Sequence, residues 1–142
     1  PGRAVLATGL VVLLALSWLF PYLSERAYSS AVSDAGRDRI AAALVAARRA
    51  HRLDPLAADP LLVVAKLQQQ RGEARQAKAT LEQALRLQPA NYAVYYQLGL
   101  LELNTYGSRT AAVAWFRKAL ALNPHDAATG YQLSVAEGGG GG

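Results

Sequence analysis

The chain contains no cysteine and no methionine among its 142 residues. A disulfide framework, a thiolate metal site and a cysteine nucleophile are therefore excluded, and the redox compartment is left open. Histidine is nearly as scarce, with His51 and His125 the only two. His51 falls in a basic helix end that suits the helix dipole, and His125 in a loop after an apolar stretch, so neither is read as a metal ligand or base. Charged residues make up 18% of the chain, with 15 basic and 10 acidic groups. There is no run of Lys/Arg with interleaved aromatics, so no nucleic-acid partner is expected. GxGxxG, GxSxG, HExxH and P-loop patterns are missing as well. Asp54 and Asp59, in DPLAADP, each precede a proline. Asp59 is expected as a helix cap with Pro60 at the first helical position. The segment is read as non-catalytic, with no cofactor and no metal.

Charge is most conspicuously missing from Ala4 to Ser24 (AVLATGLVVLLALSWLFPYLS), while all ten acidic residues lie beyond it. About 20 apolar residues in a helix span the ~30 Å hydrocarbon core of a bilayer. Leu, Val and Ala fill the run, Trp18 and Tyr22 sit where an interfacial aromatic belt would lie, and Pro21 falls in the expected last turn. A transmembrane helix over 1–24 is the expectation, with residues 4–23 in lipid. Two other readings stay open. A cleaved signal sequence would want a shorter apolar region and a small-x-small site, where this chain has Phe20-Pro21-Tyr22. A buried soluble helix would show a polar face, where this run has only Thr8 and Ser17. Arg3 on one side faces Glu25 and Arg26 on the other, so the positive-inside rule leaves the orientation undecided. Because the chain opens at Pro1, it is expected to be a piece of a longer protein.

Beyond that run the sequence repeats itself. HRLDP at 51–55 returns as LRLQP at 85–89 and as LALNP at 120–124, placing Pro55, Pro89 and Pro124 34 and then 35 residues apart. A fixed period of this size marks a stacked repeat. In one unit LLVVAKLQQQR puts Leu61, Val64, Ala65 and Gln68 on one helical face, Gly72 ends the helix, and RQAKATLEQALRL directs Ala77, Leu81, Ala84, Leu85 and Leu87 inward. In the next, Asn91 caps; Tyr95, Leu98, Gly99 and Glu102 follow; Gly107-Ser108 turns; and Ala112, Phe116, Ala119, Leu120 and Leu122 lead to Pro124. One residue inserted near Tyr106 accounts for the longer spacing. Small residues at Ala65/Gly99, Ala77/Ala112 and Ala84/Ala119 allow close helix packing, and Tyr95, Leu81 and Phe116 fill the gaps between. Such a hairpin cannot bury its apolar face alone, so units must stack.

These residues resemble the tetratricopeptide repeat pattern over about 53–134, most specifically in YYQLGLLEL…AAVAWFRKALALNP. The resemblance implies helical hairpins stacked as a short right-handed α-solenoid; with the transmembrane helix expected from the apolar run before them, the fold class expected is all-α. The domains expected are a membrane helix 1–24, a linker 25–36, a repeat domain 37–137 and a glycine tail 138–142. The repeat domain divides into a partial unit 37–55, full units 58–90 and 91–125, and a capping helix 126–137. In the partial unit Ala43, Ala47, Ala50 and Leu53 match a second helix, and its first helix is expected to be missing.

First helices line the concave side of such a stack. The outward positions are Leu62, Lys66, Gln69 and Gln70, then Tyr96, Leu100, Leu103 and Asn104, with Tyr131 from the last helix. This lining suits an extended peptide or a neighbouring protein, including the rest of a parent membrane protein. The resemblance places carboxylate-capturing basic and Asn side chains on this face in chaperone-binding relatives, and here only Lys66 and Asn104 answer. Arg48, Arg49 and Arg52 form a basic cluster, either at a membrane surface or as a solvated helix end. SWLFPYLSERAYSSA, ALVAARRAHRLDPLAADPL and the repeats together resemble the C-terminal end of bacterial O-antigen ligase or polymerase family membrane proteins. That resemblance implies a bacterial inner-membrane, protein-interaction tail of a lipid-linked glycan transferase in envelope assembly, with the side of the repeat domain undetermined. The alternative is a stand-alone membrane-anchored scaffold that recruits partner proteins.

Overall fold

A computed structural model describes the backbone of residues 2–138 and the side chains of residues 19–138. Among the described residues all regular structure is helical: α1 (Gly2–Gly36), α2 (Ile40–Leu53), α3 (Asp59–Gln70), α4 (Ala74–Leu87), α5 (Tyr92–Asn104), α6 (Arg109–Leu122) and α7 (Ala127–Gly138). The chain forms two compact units, Pro1–Pro55 and Leu56–Gly142.

In the second unit α3 pairs with α4 and α5 with α6, while α7 packs on α6. The small residues sit where close packing requires them. Ala65, Ala77, Ala84, Ala112 and Ala119 are all buried, and Ala84 and Ala119 have no exposed surface. Leu61, Leu81, Val94, Leu98 and Leu101 close one apolar cluster around them. Phe116, fully buried, anchors a second cluster with Ala112 and Ala136. Gly99 is there because of Phe116: a Cβ at Gly99 would fall 2.4 Å from the ring. Asn91 caps α5 by accepting the N–H of Ala93 at 3.1 Å. Asp126 accepts the N–H of Thr129 at 2.9 Å and so caps α7.

Two local expectations are corrected. Asp59 is not the cap of α3 but lies within its first turn, after Ala58 in helical conformation. The N–H groups of Leu61 and Leu62, which a capping carboxylate would take, already bond to the Ala58 carbonyl at 2.9 and 3.1 Å. Leu122, expected to point inward, is 44% exposed. Its counterpart Leu87 packs on the cluster that α5 closes. The next helix after Leu122 opens with Ala127-Ala128, which offer little side chain to cover it.

The first unit corrects a larger expectation. Residues 25–36 are no linker, and Pro21 does not end the helix. It lies inside α1, which continues to Gly36. The second half of α1 packs along α2 and is the first helix expected to be missing. Ala31, fully buried, occupies the place of Ala65 and Gly99. The Ser24 hydroxyl donates to the Ala50 carbonyl at 3.1 Å and sets the register of the hairpin. The turn closes on equivalent residues in all three hairpins, with one extra residue in the third. The N–H groups of Arg39, Glu73 and Ser108 reach back to the carbonyls of Asp34, Gln68 and Glu102 at 2.8–2.9 Å. Each turn has one residue at positive φ: Asp38 at 58°, Gly72 at 74° and Gly107 at 67°.

The expected membrane span 1–24 lies mostly outside the residues whose side chains are described. Among the described residues no helix is long and apolar enough to cross a membrane. The expected glycine tail 138–142, Gly138 apart, also lies outside the described residues.

Candidate functional site

The three first helices of the second unit lie side by side, α3 against α5 and α5 against α7. Their shared face is set by the repeat: Leu62, Tyr96 and Tyr131 hold one equivalent position, 34 and then 35 residues apart. Lys66, Leu100 and Val135 hold the next turn of the same stripe. Val135 was not among the expected groove residues, although the 35-residue offset from Leu100 points to it. It is 44% exposed, and Tyr131 is 66% exposed.

The lining residues differ in how firmly they are held. Tyr96, Leu100 and Leu103 are half-buried and rest on the Phe116 cluster, with the Tyr96 and Phe116 ring centroids 6.1 Å apart. Leu62 rests on the first cluster. These four present the outer part of fixed side chains, which limits the rotamer entropy lost when something covers them. Lys66, Gln70 and Asn104 are exposed, while Gln69 is half-buried. The Gln69 Nε2 is shielded and makes no hydrogen bond.

The stack is pinned by polar bonds at its seams. Lys78 on α4 donates to Glu102 on α5 at 2.7 Å and lies 5.4 Å from the Tyr106 ring centre. The Glu102 bond raises the Lys78 pKa above the ordinary lysine value of 10.5, against a smaller opposing effect of burial. Glu137 on α7 holds the position of Glu102 and is reached by Arg117 on α6 at 2.7 Å, from about one helical turn further along than the place of Lys78. The expected basic cluster belongs to the other unit: Arg48, Arg49 and Arg52 are exposed on α2.

Residues 58–91 and 92–126 each match the tetratricopeptide repeat model. These two segments are tetratricopeptide repeats. The chain also has the fold of solved tetratricopeptide domains. The Arabidopsis OM64 TPR domain is 18% identical, with 84% of this chain and 98% of that one covered at a TM-score of 0.74. The first TPR of Spaghetti (RPAP3), bound to the HSP90 peptide SRMEEVD, is 12% identical, with 83% and 93% covered and a TM-score of 0.73. The Yersinia enterocolitica type III secretion chaperone SycD, in complex with a peptide of the translocator YopD, is 14% identical, with 80% and 91% covered and a TM-score of 0.69. No curated protein sequence matches the chain. Among the described residues no group of three His, Asp or Glu side chains is placed to hold a metal ion.

Proposed function

We propose that the tetratricopeptide face of α3, α5 and α7 binds an extended protein segment through apolar and aromatic side chains. The observation that carries this reading is the run of Leu62, Tyr96, Leu100, Leu103, Tyr131 and Val135 along that face. Supported Tyr and Leu side chains supply contact area at low entropic cost. Gln69, Gln70 and Asn104 offer amides to a peptide backbone, and a turn of Gln69 into the groove regains the hydrogen bond it lacks. Peptide complexes of the RPAP3 and SycD domains support peptide capture as a use of this fold. The HSP90 peptide in the former carries three acidic residues in SRMEEVD. Here Lys66 is the one cation among the expected groove residues, so the reading favours an apolar segment.

A peptide-display selection against the full chain tests this. The expected result is enrichment of peptides with two or more large apolar residues, and about a tenfold or greater loss of binding in the Tyr96→Ala/Tyr131→Ala variant. Enrichment of acidic C-termini, or binding indifferent to both tyrosines, contradicts it.

The proposal extends to placement. The uncharged run 4–23 tethers the module to a membrane, and the tether leads into the first hairpin without a break in α1. The resemblance of the stretch through Pro60 supports a role as the tail of an O-antigen ligase-type bacterial membrane protein, recruiting a partner to glycan assembly. A stand-alone anchored scaffold is the competing arrangement. The coding sequence upstream of Pro1 separates them, with about ten further apolar spans for the first and a nearby start codon for the second.

A further inference from the structure

We infer that the foot of the first hairpin is an anionic-lipid contact, in which Arg26, Arg48, Arg49 and Arg52 meet headgroup phosphates beside the end of the apolar run. The inference rests on the tethering reading above. Arg26 follows the apolar run directly, whereas Arg48, Arg49 and Arg52 lie far beyond it in sequence and only the hairpin brings them to it. The Ser24–Ala50 hydrogen bond fixes an antiparallel register. That register puts the last turn of α2 beside the stretch of α1 from Leu19 to Leu23. Arg26, Arg49 and Leu23 line one shared groove of about 750 Å³ between the two helices.

On α2, Arg48 and Arg52 are four residues apart and share a helical face, with Arg49 beside them. All three are exposed, as is Arg26. Next to them α1 exposes Leu19 by 47%, Phe20 by 49% and Tyr22 by 63%. A water-soluble hairpin gains nothing from leaving a phenyl ring, a phenol and a leucine open in one turn. At a bilayer interface those side chains sit at the level of the headgroups and upper acyl chains, where aromatic belts form. The acidic residues at this foot are Glu25 and Asp54, so the four arginines leave it net positive. One apolar element plus a cluster of cations is the two-signal arrangement that stable membrane attachment uses. Because α1 is unbroken from Gly2 to Gly36, the arginines keep a fixed height relative to the apolar run. The helix therefore sets them at the interface without a flexible joint.

The test offers the full chain equal amounts of neutral phosphatidylcholine vesicles and vesicles containing phosphatidylglycerol at low salt. Each arginine near an anionic surface contributes about fivefold to binding. The wild type is expected to prefer the anionic vesicles, and the R48Q/R49Q/R52Q variant to lose on the order of a hundredfold of that preference while still binding neutral vesicles. R48K/R49K/R52K keeps the preference, as does R75Q/R86Q, which removes two exposed charges from the other unit. High salt abolishes the preference in the wild type, which decides the matter should the glutamine variant not fold. Equal binding to both vesicles, or a preference unchanged in the glutamine variant, overturns the lipid contact and leaves tethering intact. No binding to either vesicle overturns both.

Discussion

At the scale of single residues the fold depends on a few positions that must be small or must be left-handed. Gly99 is the sharpest. Alanine there gains about 1 kcal/mol of helix propensity but overlaps the Phe116 ring, and overpacking costs about 1–3 kcal/mol. The Gly99→Ala chain is expected to have a lower urea midpoint, partly recovered by Phe116→Leu in the same chain. A higher midpoint would mean that the close approach is not there. The three turn residues make a matched set. Gly72 and Gly107 adopt positive φ freely, whereas Asp38 does so at some cost. Asp38→Gly is expected to stabilise the first hairpin by about 0.5–1 kcal/mol, and Gly72→Ala to destabilise its own by a similar amount, both read from thermal unfolding. Gly72 and Gly107 were legible as helix ends because glycine announces a left-handed turn. Asp38 was not, since aspartate is mostly found elsewhere in φ.

At the scale of helices, one position carries a polar side chain in every first helix: Asp34, Gln68, Glu102 and Glu137. Each is bonded: Asp34 to Arg39, Gln68 to Thr80 at 2.8 Å, Glu102 to Lys78 and Glu137 to Arg117. Helical spacing showed Gln68 and Glu102 facing inward but could not name their partners, which come from other helices. The Lys78–Glu102 pair has a definite pH signature. Because the folded-state pKa of Lys78 is raised, its contribution is fully present below the ordinary lysine value near 10.5. It is lost as pH rises through the folded value. Lys78→Met leaves the nearly buried Glu102 carboxylate unpaired and is expected to cost about 2 kcal/mol at neutral pH. Its stability should then fall less than that of the wild type between pH 10 and pH 12, by denaturant titration at each pH. Parallel pH profiles for the two chains would mean that the pair contributes nothing. The missed half of α1 belongs to this scale as well. SERAYSSAVSDAG has only Tyr28 and Val32 as larger apolar side chains, Val32 is exposed, and its only buried members are Ser24 and Ala31. A helix that packs through a serine and an alanine leaves almost no hydrophobic period to read.

At the scale of the molecule, recurring alanines let helix pairs nest, and nesting lines up the first helices of successive repeats. This much was legible, because the period is fixed by prolines and the small residues recur in register with them. The positions along the shared face of α3, α5 and α7 follow from the same period, except that the weak pattern of the last unit hid Val135; a binding role for that face is the proposal made above. Which side chains stand free and which are propped from beneath was not legible. Tyr96 and Tyr131 are equivalent in sequence, yet one rests on Phe116 and the other is largely open. Methyl NMR on titration with a selected apolar peptide tests the groove most directly. The account expects shifts at Leu62, Leu100, Leu103 and Val135, with Leu81 and the outer Leu122 unmoved. Shifts concentrated on α4 and α6, with those four methyls silent, would contradict it.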